Sequence, residues 1–264
     1  ETRSPWTFRN VYTLKRSAEA NMPPVVLSPE QMRADTDILR RALAALHPGV
    51  YRYIRPADLD REFAMLEAKL TEPASEGDYF VLVSQLLHKL RCGHTFANPY
   101  NQNDKLKTRL FGGRTYMPFY FQILDGRIVI TANASSKKIA TGSEITRING
   151  VAAPDIIARL LTVTRGDGTT TLEHRIDSIG LARSEAEKYA LFDMYFPLMF
   201  PLKDGVFEIE AVDHTTRKAT NFAVLAMTKT ERTEEMAKRY GPTPSYDDGW
   251  KFEIQDSSTG YLKI

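Results

Sequence analysis

The sequence predicts an α+β fold in which a helical unit precedes a β-rich one, and three observations lead there. Apolar residues recur at helical spacing from Ser28 to Leu90, after Gly93 they recur at every second position, and Asp125-Gly126 and Asn149-Gly150 mark tight turns between the alternating runs. The first 27 residues carry Trp6, Phe8 and Tyr12 without a sustained period and end in Pro23-Pro24, so they read as an arm.

Ser28-Pro29-Glu30-Gln31 joins an N-cap, a proline at the first helical position and a capping-box glutamine. Met32, Ile38, Leu39, Ala42, Leu43 and Leu46 then form one stripe, which Pro48-Gly49 stops. A second helix begins near Pro56 with Leu59, Phe63, Leu66 and Leu70 on one face. A third covers residues 77–90 and turns Tyr79, Phe80, Val83, Leu86, Leu87 and Leu90 inward. Three short amphipathic helices with brief connections make a three-helix bundle.

Beyond Gly93, residues 116–124 and 127–131 read as strands joined by a type I′ turn, because Asp-Gly suits two central positions with φ > 0. Residues 142–150 hold a short strand ending at Asn149-Gly150, 154–161 a helix, 166–170 a polar turn and 184–195 a further helix. A second hairpin spans 206–212 and 220–226, a charged helix 230–240, and Gly241-Pro242-Thr243-Pro244 is a linker before two incipient strands. Gly260 to Ile264 alternate like a strand in mid-stride, as at a cut.

With 42% apolar and 26% charged residues in 264, the chain is neither disordered nor collagenous and has length for one or two globular units. Thirty-five Lys plus Arg against 33 Asp plus Glu leave +2, which excludes a basic footprint for nucleic acid. Cys92 stands alone, so no internal disulfide forms, and five scattered histidines lack zinc-ligand spacing; neither metal nor other cofactor is expected. No window approaches the length of apolar sequence that spans a membrane. A chain opening on Glu1 fits removal of an export signal, and a periplasmic or extracellular location is expected.

The chemistry starts from an absence: there is no G-x-S-x-G elbow. Ser135 and Lys138 match S-x-x-K by spacing, but in a polar loop, as a chance match. Cys92 reads as a buried, inert thiol, since residues two apart in a turn do not present thiol and imidazole to each other. His94 follows a helix and Gly93, a glycine suited to a left-handed C-cap. It is either a general base projecting from that corner or a cap on the helix C-terminus. Among the other histidines, His47 ends the first helix, His88 lies on the polar side of the third, and His174 and His214 sit in or beside turns. Residues 142–150 look like the central strand and turn of a PDZ-type module, which binds a peptide C-terminus as an added strand. Phe111-Gly112-Gly113 is then either the loop whose amides hold the carboxylate or an ordinary turn.

Four segments together resemble the serine peptidase family of the tail-specific (C-terminal processing) proteases and the tricorn core. They are Leu46-His47-Pro48-Gly49-Val50-Tyr51, Leu90-Arg91-Cys92-Gly93-His94-Thr95, the run from Gly142 to Gly150, and Gly260 to Ile264. The resemblance implies an arm (1–27), a helical bundle (28–106), a PDZ-like domain (107–229) and, from 230 to 264, a linker and the first strands of a truncated crotonase-like protease domain. It implies a peptide or protein substrate, His94 as general base, and a serine nucleophile downstream of the strand at Tyr261. Cys92 and Gly93 depart from the family's Asp and auxiliary Ser. The alternatives are a peptide- or lipophile-binding protein without catalysis and an interaction module.

Overall fold

A computed structural model describes residues 25–183, 190–243 and 251–263. The proposed arm up to residue 24, the start of the helix placed at 184–195, Pro244 of the linker and Ile264 lie outside the described residues.

The helical unit forms where local signals are strongest. Ser28 caps α1 (Pro29–Leu46): its hydroxyl accepts from the Gln31 N–H while the Gln31 side chain accepts from the Ser28 N–H. Proline opens α2 (Pro56–Glu67), and Ser75 caps α3 (Glu76–Lys89). Two short strands, β1 (Val26–Leu27) and β2 (Ala74–Ser75), pair antiparallel and bring the start of α1 to the start of α3. Met32, Leu43, Leu59, Phe63, Leu66, Leu70, Leu86, Leu87 and Leu90 form the core between the three helices. Ile38 and Leu46, expected in that stripe, face solvent instead.

The first difference follows at α4 (Asp104–Phe111), a helix where the sequence suggested loop and strand; Asn103 caps it, and the expected boundary after residue 106 falls inside it. Arg109 in α4 grips both carboxylate oxygens of Glu76 at 2.6 Å, fastening α4 to α3.

The β-rich unit is an antiparallel sheet of β3 (Phe119–Leu124), β4 (Arg127–Asn133), β5 (Glu144–Ile148), β6 (Val151–Ala152), β7 (Val206–Val212) and β8 (Ala219–Leu225). The order is β3-β4-β5-β7-β8, with β6 beside β5. Asp125 and Gly126 sit at φ 50° and 74°, and Asn149 and Gly150 at 51° and 76°, so both turns have the two positive φ angles of type I′. The helices α5 (Ala153–Leu160), α6 (Leu172–Asp177), α7 (Leu191–Met199) and α8 (Lys229–Tyr240) complete the unit; α6 is a second helix the sequence did not announce. A detached hairpin, β9 (Lys251–Ile254) with β10 (Gly260–Lys263), ends the described chain. This is an α+β fold.

The sheet curls toward closure. Tyr116 and Met227, just before β3 and just after β8, exchange two backbone hydrogen bonds of 2.9 and 3.0 Å. Pro118 stops the closure: it has no N–H, and its carbonyl accepts from Ala134. Inside lies one apolar core of Phe119, Phe121, Ile130, Ile145, Ile148, Phe192, Phe196, Phe207 and their neighbours, to which α3 contributes Phe80. Thus α3 belongs to both cores and joins the two units.

Arg232 in α8 is fully buried. Its guanidinium donates to both carboxylate oxygens of Asp193 in α7 (2.6 and 3.2 Å) and to the Met117 carbonyl (2.9 Å), and lies 4.9 and 5.1 Å from the ring centres of Tyr120 and Tyr116. Removing one partner of such a pair strands a charge in the core, at a cost of about 3–5 kcal/mol. Asp193→Ala should therefore lower the unfolding free energy by about that much in urea titrations, and Arg232→Met in the same chain should restore part of it. An unchanged midpoint in the single variant would contradict this account.

Candidate functional site

The segment carrying His94 is built by the end of α3. Gly93 does not take the expected left-handed cap; Arg91 does, at φ 53°, one residue beyond Leu90. Its N–H donates to His88, its carbonyl accepts from the Gly168 N–H at 2.8 Å, and its guanidinium donates to the Gly168 carbonyl. The turn after α3 is therefore sewn to the polar turn 166–170 in both directions. Gly168 has φ +56°, and a Cβ there would lie 2.6 Å from the Tyr53 ring, so only glycine lets the loop after α1 close over this junction.

That loop also supplies His47. The Gly49 N–H donates to Nδ1 (3.1 Å), so Nε2 carries the proton and donates to Thr95 Oγ1 at 2.7 Å. Thr95 in turn donates its N–H to the Cys92 carbonyl at 3.0 Å. His94 stands between these fixed points with an exposed side chain, and among the described residues its imidazole has no hydrogen-bond partner. Cys92 is half-buried, not buried as expected, because the left-handed turn at Arg91 leads the chain out of the core.

His88, expected on a polar face, is instead packed between α3 and the segment before α6. Its Nδ1 meets the Thr164 carbonyl at 2.7 Å and therefore carries the proton; Nε2 accepts from Arg175 at 3.2 Å. Arg175 also donates to Thr164 Oγ1 and to the Leu161 carbonyl, and the Tyr195 hydroxyl reaches Ser84 Oγ at 3.0 Å. Burial first, then the nearby Arg175 and Lys89 charges, holds His88 below the ordinary histidine pKa, with the Thr164 hydrogen bond acting against them.

Between the joined segments opens a cleft of about 290 Å³. Phe96, Val163, Leu191, Met194 and Tyr195 give it an apolar wall, and Arg165, Asp167, Thr170, His174 and Ser178 a polar one. The Arg165 guanidinium lies 4.3 Å from the Phe96 ring centre. Gly93 lines the cleft, and His94 is the next residue in the chain. Such a space, part apolar with a few polar groups, suits a small ligand or one or two peptide side chains.

Phe111-Gly112-Gly113 does not join this cleft. Phe111 is the last residue of α4 and packs edge-on against Phe80, and Gly112 caps the helix with its N–H donated to Thr108. The segment is a helix terminus, and the Gly112 amide is already spent. The Ser135 hydroxyl donates to Asn133 Oδ1 at 2.7 Å and accepts the backbone N–H of Lys137 at 3.2 Å, and among the described residues the Lys138 side chain is not hydrogen-bonded to it. The linkage His47–Thr95 and the His88–Arg175 network escaped sequence reasoning; a histidine before Pro-Gly and one in a helix's last turn were their only signals. Among the described residues no group of three or more His, Cys, Asp or Glu could hold a metal, and no helix is long and apolar enough to cross a membrane. No family model matches the chain, and no curated protein matches it.

Because His88 is neutral in the fold with a lowered pKa, the unfolded chain takes up its proton first as pH falls. The stability it contributes is complete above pH of about 6.5 and is lost as pH drops through that value toward the lowered folded-state pKa. Urea midpoints measured from pH 7.5 down to 5 should fall for the parent chain and fall less for His88→Gln, which cannot titrate; identical slopes would remove His88 from the pH response.

Proposed function

We propose that this chain is the substrate-binding and base-supplying part of a serine peptidase of the tail-specific and tricorn kind. The helices before residue 112 are read as its bundle and the curled sheet with its flanking helices as its PDZ-like part. His94 is the general base. The observation that carries this reading is the 2.7 Å bond between His47 and Thr95: it draws together two of the segments on which the resemblance rests, 48 positions apart, and leaves His94 exposed between fixed neighbours. An imidazole held this way takes the proton of a serine hydroxyl as its oxygen attacks a peptide carbonyl, then returns it to the leaving amine. The serine comes from a segment beyond those described. The cleft beside Gly93 receives one or two side chains of the substrate.

A second reading, a carrier or binding protein without catalysis, draws on the apolar wall of the same cleft. The two separate in the full-length protein that joins this chain to the serine-bearing domain. There His94→Ala should lower peptide turnover by about 10²–10⁴ with little change in KM, the usual scale for a general base. His47→Leu, which lets the turn move, should lower turnover less. Undiminished turnover in His94→Ala overturns the assignment, and absence of any turnover in the parent favours the carrier.

A further inference from the structure

The register shows which edge of the sheet is open. Asp213 donates its N–H to Lys218 and Ala226 to Gly205, so hydrogen-bonded pairs between β7 and β8 fall at 218, 220, 222, 224 and 226. The intervening residues, Ala219, Asn221, Ala223 and Leu225, turn their N–H and C=O groups outward. Met227, next in that phase, does the same and is met by Tyr116. Continued pairing would bring residue 118 against Leu225, but Pro118 has no N–H and its carbonyl belongs to Ala134. The opposite edge is met at its middle, where Phe121 of β3 exchanges both backbone bonds with Leu181. Four consecutive outward N–H and C=O pairs on β8 are thus left without a backbone partner among the described residues.

Sheet edges are usually protected by a charge, a proline or a bulge. Residues 219–225 contain no charge and no proline, pair with β7 without a bulge, and end at Leu225 with 66% of its surface exposed. Side chains of Ala219, Asn221, Ala223 and Leu225 share the outer face, where Glu208 stands opposite Ala223 and Glu210 opposite Asn221. Glu210 is 3.8 Å from Arg147; the Glu208 carboxylate has no ion-pair partner among the described residues. On the inner face Phe222 is half-buried against Phe119.

We propose that the β8 edge binds an extended peptide segment as an added antiparallel strand, with alternating apolar and basic side chains. Its backbone completes the bonds of Ala219, Asn221, Ala223 and Leu225. Its apolar side chains lie on the inner face beside Phe222. Its basic ones lie on the outer face, where a lysine stem crosses the small Ala223 to reach Glu208, two strand spacings or about 10 Å away.

The probe is a seven-residue peptide of alternating valine and lysine, acetylated and amidated so that neither free terminus nor a carboxylate site takes part; its outcome is therefore separate from the peptidase reading. Titrated into the isotope-labelled chain, it should shift the amides of Ala219, Asn221, Ala223 and Leu225 saturably and slow their hydrogen exchange. The valine–glutamate counterpart should bind about tenfold or more weakly. Ala223→Pro removes one outward donor and no bond to β7, so it should abolish binding with thermal unfolding near that of the parent. Glu208→Lys should reverse the preference between the two peptides. No saturable shift at millimolar peptide overturns the proposal, as does equal binding of both peptides. Protection that follows protein concentration with a doubling of mass also overturns it, by giving the edge to a second copy of the chain.

Discussion

The buried pair of Arg232 and Asp193 is the constraint on which the arrangement depends. A guanidinium is stable in an apolar core only if its charge is compensated, and here a carboxylate from α7, a carbonyl just before β3 and two tyrosine rings face it. The three segments must therefore arrive together. Once they do, α8 and α7 are fixed to each other and to the segment just before β3. Tyr195 on α7 then reaches Ser84 on α3, and through that bond the β-rich core is registered against the helical one.

From that registration follows the site. The turn after α3 meets the 166–170 turn through one backbone bond and one from the Arg91 guanidinium, both at Gly168, and Gly168 allows Tyr53 to close over the seam. Two histidines act here in opposite tautomers, His47 with the proton on Nε2 and His88 with it on Nδ1, each dictated by the backbone group it faces. Both are committed to holding segments together. Among the described residues His94 is not, which is the physical contrast that makes it the candidate for proton transfer. The cleft exists because these clamps hold its walls apart at fixed spacing.

Sheet closure is decided by similar particulars. The Tyr116–Met227 pair begins a barrel, and Pro118 ends it one pairing later. One edge then meets Leu181 at Phe121, and the outward groups of the other are unmet among the described residues, an asymmetry no pattern of apolar residues encodes.

The sequence by itself determined what depends on neighbours within a few positions: the capping box at Ser28, the helices opened by Pro29 and Pro56, the two I′ turns at Asp125-Gly126 and Asn149-Gly150, and hence the α+β class. Such features carry their own hydrogen bonds or dihedral preferences and form wherever they are placed. Only the tertiary structure decided the rest. Eight-residue α4 and six-residue α6 are too short to be stable alone and are held by partners such as the Arg109–Glu76 pair. That Arg91 and not Gly93 turns left-handed follows from the demand of Gly168, 77 positions away, for both of its backbone groups. His47 meets Thr95 and His88 meets Thr164 across loops whose closure is set by packing, and periodicity, which reports only the face a residue presents, says nothing about which faces come together.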